Sequence, residues 1–228
     1  DTRRPLAVDG AEPDRVAEAV ERMGLAHAVV TAVARDDLGD GGAAAFGTTV
    51  AAIRRRCPAT TVEVLIPDCQ GDPDSLAAIF DVRPDVVNHN LETVARLQRL
   101  ARPSASYARS LAVLALAKAA GLVTKSGLVL GMGETEAEVL GALADLRGVG
   151  VDIVTLGQYL RPTAAHLAVA RWWRPEEFDR LRAVGLAMGF AHVESSPLTR
   201  SSYHARDALE LGAKSLAIAR DLQARTAR

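Results

Sequence analysis

Three groups of residues could do chemistry by their types and spacing. The first is Arg200-Ser201-Ser202-Tyr203-His204, inside the stretch PLTRSSYHARDAL. Its hydroxyls suit a helix N-cap, because Ser and Thr oxygens accept from the unpaired N–H groups of a first turn. The same hydroxyls suit a metal ligand or a catalytic group, and the cap is the plainer reading of the stretch taken alone. The second is Lys125, inside the apolar run VTKSGLVLG. A lysine in a buried strand needs a partner or a cavity, since an unpaired ammonium away from water is costly. The third joins Asn88-His89-Asn90 with Gly131-Met132-Gly133-Glu134. Glycines before a helix start let backbone N–H groups approach an anion, although this pattern is too short to be specific. Asn88-His89-Asn90 reads equally as a turn. The chain has five histidines, and none forms the His-x-His or His-Glu-x-x-His pattern of a metal site. Asp36 and Asp37 precede Gly41-Gly42, so loop charges beside a tight turn account for them. Cys57 and Cys69 are too far apart for a metal knuckle and read as free thiols.

The elements that must position these residues follow from the hydrophobic pattern. Continuous apolar runs predict strands over 26–33, 61–67, 84–90, 123–131, 151–160 and 189–195. Runs without strict alternation are covered on both faces, as in parallel sheets. Between them, EPDRVAEAVERMG places Val16, Ala19, Val20 and Met23 on one helical face, with Gly24 as its C-terminal stop. Further helices are predicted over 42–57, 106–121, 135–150 and 174–189, and from about 205 to 225 with Leu209, Leu216 and Ile218 as apolar positions. Thr135 and Glu138 have the spacing of a capping box, and Pro175 suits a first helical position. Strands alternating with helices predict an α/β fold with right-handed crossovers. An open doubly wound sheet and a partial (β/α) barrel both fit that pattern. In either, sites form at the carboxyl ends of the strands, where this sequence collects its polar residues.

Composition narrows the classes. The chain has 228 residues, 49% hydrophobic and 24% charged, with a net charge of −1. That length suits one larger domain with a sizeable core. The charge balance gives no argument for nucleic acid, and no apolar run approaches the roughly 20 residues of a membrane span. No export-signal pattern of basic, apolar and small-residue zones is visible, so a cytoplasmic setting is expected. The opening DTRRPLAVDG reads as the interior of a longer protein.

The segments RDDLGDGGA, VEVLIPD, VNHNLETV, RPSASYARSL, TKSGLVLGMGET, VDIVTLGQYLRP, EEFDRLRAVGLAMGF and RSSYHA occur here in order. In this they resemble the lipoyl synthases, a radical S-adenosylmethionine family, from about Asp1 to Ala205. The resemblance implies a partial (β/α)6 TIM-like barrel. It implies insertion of two sulfur atoms, at C6 and C8, into an octanoyl group carried on a protein lysine. It implies two [4Fe–4S] clusters. One cleaves S-adenosylmethionine to a 5′-deoxyadenosyl radical and the other is consumed as sulfur source. Partners would be an octanoylated lipoyl-carrier protein or lipoyl domain and an electron-donor protein. The second serine of the Arg-Ser-Ser-Tyr motif, here Ser202, would bind an iron of the auxiliary cluster as a detachable oxygen corner. For S-adenosylmethionine, strand position and side-chain type nominate Thr31, Arg35, Asp36 and Asp37 for the methionine part. They nominate Asn88, Asn90, Lys125 and Glu134 for the carboxylate or ribose, and Gln158 and Tyr159 for the adenosine. No side chain is nominated as a catalytic acid or base.

The sequence also departs from that family. The Cys-x4-Cys-x5-Cys and Cys-x3-Cys-x2-Cys sets are missing, and Cys57 and Cys69 cannot replace six thiolates. No cluster and no sulfur insertion are therefore expected of the chain as it stands. The barrel over 1–204 is expected to be incomplete on its N-terminal side, lacking a first strand and cluster loop and exposing apolar surface there, with 205–228 as a helical tail. Ala32, Ala34 and Ser196 stand where the family more often has serine, aspartate and glycine. Two other readings remain at this stage. One is a non-catalytic relative that binds a nucleoside or an acyl-carrier domain. The other is an unrelated barrel enzyme using Lys125 as a Schiff-base amine.

Overall fold

The computed structural model describes residues 5–202 and 205–210. Six strands form one sheet: β1 (His27–Thr31), β2 (Thr61–Leu65), β3 (Val86–Asn88), β4 (Val123–Leu130), β5 (Ile153–Gln158) and β6 (His192–Ser195). Every pairing is parallel, and the spatial order is the sequence order. A doubly wound sheet reverses its order at a switch point. This sheet does not, so the partial barrel is the fold. It is not closed, since among the described pairings β1 bonds only to β2 and β6 only to β5.

Helices α1 (Glu12–Arg22), α2 (Ala43–Arg56), α3 (Pro73–Phe80), α4 (Gln98–Ala101), α5 (Tyr107–Ala119), α6 (Glu136–Gly148) and α7 (Pro175–Ala187) cover the outer face. The expected start and stop signals are in place. Thr135 and Glu138 form the reciprocal capping box of α6, Pro175 opens α7, and Gly24 takes the left-handed conformation after α1. Helix α3 is not evident from hydrophobic runs. Asp72 creates it, accepting from the Ser75 backbone N–H at 2.9 Å with Pro73 at its first position. Of the expected C-terminal helix, 205–210 is helical; Leu216 and Ile218 lie outside the described residues, as do Tyr203 and His204.

Side chains alternate between the two faces of each strand. Val62, Val64 and Val87 point outward into one apolar cluster with α2, α3 and part of α5. Val154, Leu156 and Val193 point outward into a second, with α6 and α7. Helix α5 serves both, giving Val113 and Ala117 to the first and Leu114 to the second. The opposite face is the lumen. The registers Asn88↔Lys125, Lys125↔Ile153 and Ile153↔His192, with Glu63 two residues before the partner of Asn88, line up polar side chains there.

Candidate active site

The lumen carries an ionic layer deep between the strands. The Lys125 ammonium lies 3.0 and 3.1 Å from the two Glu63 carboxylate oxygens, and both side chains are about 1% exposed. Asn88 donates to the same carboxylate at 2.9 Å, and His27 Nε2 lies 3.8 Å from it. Burial pushes the Glu63 carboxyl up, but His27, Lys125 and Asn88 outweigh it and hold the group below its ordinary value. Lys125 is thus spent on a counter-charge, and its burial leaves a carbonyl substrate no approach to it. Glu63 was missing from the sequence reading. Its signal was available: a charged residue centred in the buried run TVEVL, matching the buried lysine two strands away.

Above this layer, at the carboxyl ends of the strands, a cavity of about 210 Å³ opens between Asn90, Glu92, Gly127, Thr155, Gly157 and the loop Thr199–Ser201. Two glycines keep it open. A Cβ on Gly127 would stand 2.5 Å from Thr155 Oγ1 and 3.0 Å from Asn90 Oδ1; one on Gly157 would stand 2.3 Å from the Thr199 carbonyl oxygen. Asn90 Oδ1 is buried without a hydrogen-bond partner, which is unusual unless a ligand or water completes it. Glu92 takes φ +67°, a conformation that side chains adopt at a cost and that concentrates at functional sites. Burial raises its carboxyl above the ordinary value, opposed by Arg102 and by a hydrogen bond with the Asn90 side chain. Glu92 also escapes sequence reading, because nothing in NHNLET announces the left-handed turn that aims it inward.

The remaining nominated residues have other neighbours. Glu134 accepts from the Gly131 and Met132 backbone N–H groups and from Trp173 Nε1 at 2.8 Å. Gln158 donates to the carbonyls of Tyr159 and Arg171 and accepts from the Trp173 backbone N–H. Tyr159 Oη donates to the Leu167 carbonyl at 3.0 Å. Each of these three side chains therefore makes a hydrogen bond to a strap over 159–174 that edges the mouth, a use the sequence does not suggest. Gly131 lets the strap close. It has φ +121°, and a Cβ there would stand 2.2 Å from Gln158 Nε2 and 2.6 Å from the Arg171 carbonyl oxygen. Gly131→Ala is therefore expected to release the strap. Limited proteolysis should then cut within 159–174 at least about tenfold faster, because cleavage follows local opening.

Thr31 is exposed at the end of β1 and donates to the Leu65 carbonyl at 3.3 Å. Arg35 holds Asp37 by two contacts of 2.8 Å, and that hydrogen-bonded pair lowers the Asp37 carboxyl below its ordinary value. Asp36 is exposed. Thr31 and Arg35 line a separate groove of about 340 Å³ between the end of β1, α1 and α2, not the cavity at the mouth. The structure thus brings Asn90 into that cavity, Asn88 and Lys125 into the layer beneath, Glu134, Gln158 and Tyr159 to its margins, and Thr31 and Arg35 to the separate groove.

The loop after β6 crosses the mouth. The Gln158 backbone N–H donates to the Pro197 carbonyl at 3.2 Å, and the Arg200 guanidinium donates to the Thr199 carbonyl at 2.7 Å. Ser201 lines the cavity, and Ser202 follows it, exposed in a turn. The two cysteines sit at opposite ends of the sheet. Cys57 closes α2, which runs away from the mouth, and Cys69 follows β2. Cys69 is buried, and desolvation pushes its thiol up to about 11, so it is not a thiolate at neutral pH.

Comparison with known proteins adds to this geometry. Residues 1–146 match the Radical SAM superfamily. Lipoyl synthases of Rubrobacter xylanophilus and Symbiobacterium thermophilum are 55% and 57% identical, over 92% and 88% of this chain and 66% and 63% of their own lengths. That of Halalkalibacterium halodurans is 52% identical over 90% of this chain and 68% of its own length. The chain belongs to the lipoyl synthase family of the radical SAM superfamily.

The chain spans about two thirds of the length of these lipoyl synthases. Solved structures show the same fold. HydG, a maturase of the hydrogenase, overlays with a TM-score of 0.64 at 17% identity over 92% of this chain and 49% of its own. Methylornithine synthase overlays at 0.61 and 14% identity, over 79% of this chain and 55% of its own.

Two groups implied by this family can be tested against the residues. An adenosyl ligand fits the mouth: the unpartnered Asn90 Oδ1 is an acceptor, and the Cβ-free walls at Gly127 and Gly157 give room. An iron–sulfur cluster does not fit the described residues. Among them no group of three or more His, Cys, Asp or Glu side chains could hold a metal ion, and Cys69 keeps its proton. Among the described residues no helix is long and apolar enough to cross a membrane.

Proposed function

We propose that this chain forms the barrel of a lipoyl synthase, which inserts sulfur at C6 and C8 of an octanoyl group on a lipoyl-carrier protein. In this reading it works in the cytoplasm with an electron-donor protein. S-Adenosylmethionine, when bound, supplies the adenosyl group for radical chemistry. The chain's own residues bind and orient it. Asn90 and Glu92 present acceptors for ribose hydroxyls, and Thr155 supplies a hydroxyl at the cavity wall. The loop Thr199–Ser201 covers the cavity and reduces its contact with water. Ser202, beside it, would be the oxygen donor to an auxiliary cluster whose thiolates the described residues do not supply. Thr31 and the Arg35–Asp37 loop would meet the methionine end from the margin.

The observation that carries this reading is the polar cavity at the strand ends, with an unpartnered Asn90 oxygen, in a chain of this family. Isothermal titration with S-adenosylhomocysteine tests it. Saturable binding is expected, weakened about tenfold by Asn90→Ala, since losing a hydrogen bond to a buried partner costs about 1–3 kcal/mol. Equal affinity in Asn90→Ala, or no saturation in the parent chain, would rule out this cavity as the adenosyl site.

A further inference from the structure

The segment 89–92 interrupts the barrel between the last residue of β3 and the point where its strand rejoins β4. The His89 N–H donates to the Lys125 carbonyl at 3.0 Å, and the Glu92 N–H donates to the Gly127 carbonyl at 2.8 Å. Two residues on the partner strand are thus spanned by three steps on this one. The extra residue forces the left-handed turn at Glu92. A bulge leaves backbone groups without ladder partners, and buried ones must be satisfied elsewhere. Two side chains do this. The Leu91 N–H donates to Ser126 Oγ at 3.2 Å. The Asn90 backbone carbonyl accepts from Arg102 Nη1 at 3.0 Å. The His89 ring anchors the segment from its other side, bridging the Ile66 carbonyl and Ser110 Oγ, each at 2.9 Å.

Arg102 differs from Ser126 because it carries charge. It ends α4, where its own N–H donates to the Gln98 carbonyl, and it is half-buried. From there it reaches the bulge and stands as the cation whose field acts on Glu92. Arg200 lines the same cavity from the loop after β6, and the Asn90 side chain is the polar neighbour of Glu92 on its own segment.

We propose that Arg102 is a positioning residue for the adenosyl cavity: by holding the Asn90 backbone carbonyl it locks the bulge so that Asn90 and Glu92 face the ligand together. The role of the cavity rests on the reading given above; the lock on the bulge does not. It predicts that removing the guanidinium disturbs Glu92 without touching any ligand contact. Burial favours the neutral acid and Arg102 favours the carboxylate, so losing Arg102 moves the Glu92 midpoint upward. A neutral acid is a weaker acceptor than a carboxylate.

The experiment follows the Glu92 carboxyl by carbon-13 NMR and the affinity for S-adenosylhomocysteine by calorimetry, both across pH. The parent chain, Arg102→Met, Arg102→Gln and Arg102→Lys are compared. Arg102→Met is expected to raise the Glu92 midpoint and to weaken binding about tenfold at neutral pH. The acid limb of its affinity profile should move to higher pH. Arg102→Lys should restore most of the titration. Arg102→Gln, which keeps a donor and loses the charge, should raise the midpoint while weakening binding less, and it carries the test if Arg102→Met does not fold. A Glu92 midpoint and an affinity in Arg102→Met and Arg102→Gln both unchanged would overturn the proposal. A shifted Glu92 in a chain that binds no adenosyl ligand would uphold the lock and sink the nucleoside reading.

Discussion

Gly157→Ala is expected to cost this chain its adenosyl affinity while leaving most of the barrel standing. The added Cβ would lie 2.3 Å from the Thr199 carbonyl oxygen and 3.2 Å from its carbon. Both are backbone atoms, so no rotamer change relieves the clash. The Pro197 carbonyl is bonded to the Gln158 N–H, which ties the loop to the same strand and leaves it little room to slide. Overpacking of this kind costs about 1–3 kcal/mol, and here the loop over the mouth is the part that can yield. Calorimetry with S-adenosylhomocysteine should show at least about a tenfold loss, with the melting temperature falling only a few degrees. Gly127→Ala is the comparison. Its closest clash is the Thr155 hydroxyl at 2.5 Å, the end of a side chain that can rotate, so its effect should be smaller. An unimpaired Gly157→Ala would mean that the loop does not need to lie where the structure puts it.

Glu63→Ala is expected to have the largest effect on stability. It strands the Lys125 ammonium in a layer where both side chains are about 1% exposed. Breaking a buried pair by deleting one partner typically costs about 3–5 kcal/mol, whereas replacing both by apolar groups of similar volume is often near neutral. Denaturant unfolding should therefore show Glu63→Ala as severely destabilised and the double change Glu63→Leu with Lys125→Met as much less so. If the double change is as damaging as the single one, the loss is one of packing and not of charge. The pH dependence has a defined sign. Glu63 titrates below its ordinary value in the folded chain, so its contribution is whole above about pH 4.3, the value of an unfolded glutamate. It is lost as pH falls through the lowered folded value. Glu63→Gln should be less stable at neutral pH and should lose stability less steeply in acid.

Much of this architecture was legible in the residues. Apolar runs marked all six strands, Thr135 and Glu138 marked the start of α6, and the polar stretches did gather at the carboxyl ends. Strand extent was less legible. The run 84–90 predicted one long strand, yet β3 stops at Asn88, because the bulge is imposed by partners as distant as Arg102 and Ser126. The functional side chains divide in the same way. Asn90 could be named from its position after a strand. Glu134 and Gln158 could be named too, but Trp173 is 39 residues from Glu134, and no local pattern reveals that this ring takes up the carboxylate. Spacing along one element can be read from a sequence; a hydrogen bond between two loops depends on how the whole sheet curls.

The division of the apolar interior into two clusters, bridged by α5, has a consequence for how the molecule bears load. Hydrophobic contact holds each half together, yet across the middle of the sheet the halves meet through the β3–β4 backbone ladder, the Glu63–Lys125 ion pair and one straddling helix. Non-directional contacts tolerate sliding, whereas hydrogen-bonded ions do not. The seam is thus the stiff, brittle line of the protein, and acid would loosen the two wings from each other before it dissolved either one.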